Sequence, residues 1–217
     1  MKKLLFWMVL IVGIVVLLGS CAKKDDATTA ATVTFTSTTT AAGSITVGSE
    51  TMSGTYVSGC NTSGVAAAVS GGYFPSDVVA NRDVIVVTGN DNVSEESHFY
   101  TDTSCSTLSV YLKNGNDNFT VGDQSGDYYK VTYQEKRFKI KADTAVAEAY
   151  YENHFSTNNI TNEGTAVNLV VGTEYSMGGS GSSYMNLFSV TSTQVQKGEG
   201  STSSYPTAMD SLEMAKQ

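Results

Sequence analysis

From about residue 49 onward, short runs of alternating apolar and polar residues recur, separated by glycine, asparagine and aspartate. That is the pattern of strands that bury one face. In TLSVYLKNG, Leu108, Val110 and Leu112 fall on one face and Ser109, Tyr111 and Lys113 on the other. Asn114-Gly115 then reads as a hairpin turn, and NFTVGD returns with Phe119 and Val121 sharing a face. GTYVSG, DVIVVTG and ESHFYTD predict three earlier strands. YYKVTY and RFKIKAD flank QEK as a further hairpin, and AVNLVVGTEY and NLFSVTSTQVQ predict two later strands. DTAVAEAYYENHF is ambiguous. Its alanines and glutamates favour a helix with Val146, Ala149, Tyr150 and Asn153 on one face, while its tyrosines suit a strand. The reading inclines to a helix or an irregular connection. The expected fold class is all-β: an antiparallel up-and-down barrel or cupped sheet of about 8–10 strands with little helix, or a β-sandwich as the alternative.

The hydrophobic pattern differs at the N-terminus. MKK is followed by a continuous apolar run over residues 4–18 and then by LGSC. A positive start, an apolar stretch and small residues before a cut site predict a secretory signal over residues 1–20. The run is short for a membrane span, which needs about 20 apolar residues. Leu18-Gly19-Ser20-Cys21 resembles the bacterial lipobox, and the resemblance implies lipidation of the Cys21 sulfur and cleavage before it. A thiol suits the role because it is nucleophilic near neutral pH. Several acyl chains on one residue anchor stably where one chain does not. Ala22, rather than an aspartate, follows the cysteine. By resemblance to the usual sorting pattern this implies the bacterial outer membrane, with the periplasmic or surface face left open. Residues 21–48 are rich in alanine, threonine and serine and read as a tether, although Val33 to Thr36 alternate and could pair as a short edge strand. Residues 49–217 read as the β-domain.

Composition narrows the partners. The chain holds 13 basic and 21 acidic residues, and loss of Lys2 and Lys3 with the signal leaves 11 basic residues and a net charge of −10. Nucleic acid, whose phosphates demand lysine and arginine, is not an expected partner. The membrane should be met through the lipid anchor. Two cysteines remain after Cys21, namely Cys60 and Cys105. An exported even pair reads as a disulfide, the alternative being two buried thiols.

The β-domain resembles a group of exported bacterial lipoproteins with a lipocalin-like domain. The residues that carry the resemblance are Gly54-Thr55-Tyr56-Val57-Ser58-Gly59-Cys60 at the opening and Tyr100-Thr101-Asp102-Thr103-Ser104-Cys105 at a second-cysteine turn. Phe119-Thr120-Val121-Gly122 follows, and Gly198-Glu199-Gly200, Tyr205-Pro206-Thr207 and Lys216-Gln217 form the ending. Tyrosine stands at 56 where that pattern carries tryptophan and at 205 where it carries arginine, and a second cysteine pair is missing around residues 155–178. The resemblance implies a lipocalin-like barrel with the Tyr56 ring packed across its closed end, Gly54 letting another backbone approach, and tolerance of tryptophan at 56. It implies no particular reaction. The plan is also similar in outline to the lipocalin-like domains of the animal adenomatosis-polyposis-coli-down-regulated proteins, which bind lipidated ligands.

Motifs for chemistry are sparse. His98 and His154 have no second histidine or cysteine at ligand spacing and read as structural. MGGSGSS lacks the final glycine of a nucleophile elbow and reads as a loop. Asp117, Asp123 and Asp127 lie among glycines and asparagines but lack calcium-loop spacing, so ordinary turns account for them. The sequence thus predicts a non-catalytic protein with no catalytic residue, metal or cofactor. The expected role is a lipid-anchored binding module for a small apolar ligand or lipid. The alternative is a surface-exposed adhesion or envelope-interaction protein without a ligand cavity, whose partner would be an envelope protein.

Overall fold

The computed structural model describes residues 35–217 apart from Glu163 and the side chain of Ser211. The signal over residues 1–20 and Cys21 lie outside the described residues. The strands are β1 (Ile45–Val47), β2 (Glu50–Met52), β3 (Thr55–Ser58), β4 (Ala80–Val87), β5 (Val93–Tyr100), β6 (Leu108–Ser125) and β7 (Tyr128–Ala142). After them come β8 (Thr161–Asn162), β9 (Thr165–Ala166), β10 (Glu174–Gly178), β11 (Ser183–Val190), β12 (Gln194–Gly198) and β13 (Met209–Lys216). Two helices interrupt them, α1 (Val65–Ser70) and α2 (Ala145–Thr157).

The sheet closes on itself. Strands β3, β4, β5, β6, β7, β11, β12 and β13 pair with their neighbours in that order, and β13 returns antiparallel to β3, with Ala215 opposite Val57. This is an eight-stranded, up-and-down, lipocalin-like barrel, and closure removes the free edges that a sandwich would leave. β10 lies beside β11 on the same edge of β7: it pairs with residues 137–141, and β11 with residues 129–134. The two are one stave broken by residues 179–182. Gly179 sits at that break, where a Cβ would come within 2.6 Å of the Lys136 carbonyl carbon.

Strand lengths depart from the sequence pattern. Asn114-Gly115 is not a turn; β6 runs through it, and the hairpin turn falls at Gly126, where φ is +64°. QEK likewise lies inside β7. Three register shifts between β6 and β7, at 115/116, 117/120 and 121/124, bend the long pair around the barrel, which is what bulges do. Turn-forming residues were thus spent on bulges. AVNLVVGTEY is mostly loop, holding only part of β9 and the start of β10, and NLFSVTSTQVQ folds back as the β11–β12 hairpin.

Inward faces form two apolar layers. At one end Tyr56, Ile85, Val131, Phe188, Val195 and Met214 pack with Ile45, Val47 and Met52 of the β1–β2 hairpin, which closes that end. At the other, Phe99, Val110, Leu112, Phe138 and Ile140 pack against α1 and α2. Helix α2 begins at Thr144, whose hydroxyl accepts the Ala147 amide at 3.1 Å, as an N-cap does. Its buried face is Ala147, Tyr151 and Phe155 rather than the face the sequence suggested, and Val146 is exposed. The packing of α2 over the barrel mouth decides which face is buried, and its own pattern is too evenly apolar to show that.

The folded unit starts before residue 49. Residues 35–44 cross the outer wall of β4–β6, with Phe35 on Val57, Val84 and Val86, and the Ala42 amide bonds the Val87 carbonyl at 2.9 Å. Residues 35–48, assigned to the tether by composition, therefore belong to the domain. Cys60 and Cys105 form a disulfide with Cα atoms 5.8 Å apart, joining the end of β3 to the β5–β6 turn. Asp102 organises that turn. Hydrogen bonds from the Ser104 hydroxyl and from the Ser106 and Thr107 amides hold its carboxyl well below the usual range.

Candidate functional site

Tyr56 sits in the first barrel stave with 0 % of its surface exposed, its hydroxyl accepting the Ser53 amide at 3.2 Å. It lies at the hairpin-closed end, where the lipocalin-like plan puts its ring. Gly54 serves differently from expectation. A Cβ there would meet nothing closer than 3.8 Å, and the glycine is required instead by its φ of +82°.

Between the two apolar layers, the same alternation turns charged groups inward. Asp83 faces inward two residues before Ile85, and Glu95 two residues after Val93. Register places Asp83 opposite Ser97 and Glu95 opposite Asn114. Lys197 enters from β12, two residues after inward-facing Val195. The Lys197 ammonium bonds the Glu95 carboxylate. Asn116 Nδ2 donates to Glu95 at 3.3 Å, Ser97 donates to Asp83 at 2.9 Å, and Asn186 Nδ2 donates to the Tyr133 hydroxyl at 3.4 Å. The lysine and glutamate side chains keep 18 % and 12 % exposure although they lie inside a closed barrel, so the mid-height of the lumen contains space that water can reach.

The electrostatics of this layer are unbalanced. Burial pulls Lys197 toward its neutral form, but Glu95 outweighs it, with Asp83 and Asp210 adding, so its pKa is raised. Burial raises Asp83 despite the nearby Lys197, and burial also raises Glu135, whose carboxylate accepts the Ser180 amide at 3.0 Å. Burial and then Asp210 raise Glu199. Tyr133 is pushed well up by burial and by Glu95, and Tyr184 to about 12 by burial and by Glu135. One ammonium thus faces several carboxylates in a partly desolvated layer, an arrangement that costs folding energy.

A second polar feature lies on the outer wall. The Glu96 carboxylate is buried and accepts from Ser37 at 2.9 Å, from Thr39 and from His98 Nε2 at 2.8 Å. Lys113 stands 3.7 Å from it and donates to Thr38 at 2.6 Å. His98 is thereby a buried, hydrogen-bonded structural residue. His154 stacks on Tyr150 in α2 at 6.2 Å between ring centres, and burial lowers its pKa. Asp117 pairs with Arg137 across the β6–β7 ladder. Among the described residues, no three His, Cys, Asp or Glu side chains converge in a way that would hold a metal ion.

The sequence reading placed Tyr56, Cys60 and Cys105 and missed Asp83, Glu95, Lys197 and Asp210. The available signal was an acid at an inward position of an alternating strand, as at Asp83 ahead of VIVV and Glu95 after Val93.

The class these features define is a closed lipocalin-like barrel with a charged layer in its lumen. The chain matches no protein-family model and has no significant relative among curated proteins.

Proposed function

We propose that this chain is a lipid-anchored lipoprotein of the bacterial outer membrane, and that its barrel is a non-catalytic binding module for a small, largely apolar molecule or lipid carrying one polar group. The observation that carries the reading is the Lys197–Glu95 pair with Asp83, partly reached by solvent between two apolar layers. Folding alone gains nothing from this layer, because buried ion pairs are at best near neutral against apolar replacements. A ligand whose polar group meets the layer and whose apolar part lies against Phe99, Leu112 or Tyr184 uses both. Binding fits better than catalysis. A nucleophilic lysine needs a lowered pKa, whereas the carboxylates around Lys197 raise its pKa.

The test is native mass spectrometry of the protein released gently from its own envelope. A bound organic molecule lost in Lys197→Met or Glu95→Gln is expected, and an apo mass from several preparations refutes the lumen reading. Lipidation is tested separately with Cys21→Ala, which should move the protein out of the detergent phase or leave an unprocessed precursor. The alternative reading, interaction with another envelope component, is favoured by one feature, an open groove on the outer wall.

A further inference from the structure

The groove lies between residues 38–40, which cross the outside of the barrel, and Glu174 at the start of β10; its floor is the outward face of β6 and β7. Its volume is about 680 Å³, within the range of small-molecule sites, roughly 300–1,000 Å³. Lys113, Arg137, Lys139 and Lys141 line it, and Glu174 is the one carboxylate among its lining residues. Four of the 11 basic residues left after signal removal therefore share one groove of a chain with 21 acidic ones.

Alternation in RFKIK explains the placement: Phe138 and Ile140 point into the barrel, so Arg137, Lys139 and Lys141 point out together. Solubility would be served by cations scattered anywhere on the wall. Here they are gathered, and Lys113 is held in place, 5 % exposed, by Thr38, Thr39 and Glu96, with its ammonium 4.6 Å from the centre of the Tyr111 ring. The Thr39 hydroxyl is taken up by Glu96 and Lys113, whereas the Thr38 hydroxyl, which accepts from Lys113, can still donate, and Thr40 lines the groove beside it. The other three cations have acidic partners: Asp117 for Arg137, Glu174 at 2.7 Å from Lys139 and Asp143 at 2.7 Å from Lys141. Asp117 and Asp143 do not line the groove. Solvent-exposed pairs of this kind contribute little net stability, so a ligand anion can replace the partner carboxylate at small cost.

We infer that this groove binds an anionic oligosaccharide, a sugar chain carrying carboxylate or phosphate groups, which meets Arg137, Lys139 and Lys141 while its hydroxyls meet Thr38 and Thr40. The inference does not depend on what the lumen holds.

The test uses the mature lipid-anchored protein in detergent, applied to immobilised carboxylated, phosphorylated and neutral oligosaccharides. Binding confined to the anionic chains is expected. It should fall at least tenfold in Lys139→Glu/Lys141→Glu and stay within twofold in Lys136→Glu/Lys216→Glu, which makes the same charge change outside the groove. Circular dichroism melts confirm that both variants fold, and if the groove variant does not, Lys139→Gln/Lys141→Gln takes its place with a smaller loss in the same direction. Equal binding of neutral chains, equal loss in the two variants, binding only to anionic vesicles or no binding overturns the proposal.

Discussion

Replacing Lys197 by methionine isolates the energetics of the lumen layer. Methionine matches the stem of lysine and removes only the ammonium. Glu95 is then left inside the barrel with Asn116 and Tyr133 as neutral neighbours, and Asp83 and Asp210 lose the Lys197 charge that offsets them. Breaking a buried pair by removing one partner costs about 3–5 kcal/mol. The 18 % and 12 % residual exposure of the two side chains lets water take up part of that, so about 2–4 kcal/mol is expected. In a domain of this size each kcal/mol moves the melting temperature by roughly 2–4 °C. Adding Glu95→Gln to Lys197→Met removes the stranded charge while keeping the Asn116 contact, and the double variant should recover most of the loss. Urea and thermal melts of the four proteins in the cycle give the coupling directly. If Lys197→Met alone costs less than about 0.5 kcal/mol and the two changes simply add, the pair behaves as a solvated surface pair, and the partly desolvated lumen layer is wrong.

Further outcomes follow from three other contacts. Tyr56→Ala should cost about 3–5 kcal/mol in urea melts because a fully enclosed aromatic is removed. Tyr56→Trp should cost about 1–3 kcal/mol through overpacking rather than being tolerated, since the ring has no free surface and its hydroxyl is already bonded to Ser53. For Glu96, burial raises the pKa, but bonds from His98 and Thr39 and the charge of Lys113 outweigh it, so the folded value lies below the ordinary 4.5. Its contribution is therefore fully present above pH 4.5 and is lost as pH falls through the lowered folded value. Protection of the amides of residues 37–44, taken relative to the intrinsic exchange rate at each pH, should fall in that acid window in the parent and already be low at pH 7 in Glu96→Gln; protection unchanged between pH 6 and 3 refutes the role of Glu96 in holding this segment. Cys60→Ala/Cys105→Ala opens a loop of 45 residues and should lose roughly 4 kcal/mol on the chain-entropy account, and a midpoint unchanged from the parent refutes the contribution.

Strand-by-strand alternation made the barrel wall legible: β3, β4 and β5 fall where GTYVSG, DVIVVTG and ESHFYTD predicted them. What the sequence hid was where strands end. Asn-Gly at 114–115 carries a strong turn preference, yet pairing along the whole of β7 outweighs it and converts the turn into a bulge. The Ser/Thr-rich segment ahead of residue 49 looked like a solvated linker because its hydroxyls suit water. Here those hydroxyls satisfy a buried carboxylate and a buried ammonium contributed by strands 57 or more residues away, information no local window contains. The lumen layer was hidden for a related reason. A single acid within an alternating strand reads as an ordinary outward residue until closure of the sheet brings Asp83, Glu95 and Lys197 to one height.

The fold places its polar costs on both sides of one wall. On β5 two adjacent glutamates diverge, Glu95 into the lumen and Glu96 to the outer face. Glu95 meets Lys197 across the barrel, while Glu96 holds the segment arriving from the N-terminal side, the side on which Cys21 lies. The strap, bonded to Glu96 and Lys113, also forms one bank of the basic groove through residues 38–40. A protein selected only for stability would place apolar residues at 95 and 197 and a free linker outside. Two glutamates on successive residues, Glu95 partly buried and Glu96 buried, instead put a charged layer inside the wall and a bonded segment outside it. The interior layer can then change without disturbing residues 37–39, which Glu96 and Lys113 hold from the outer face.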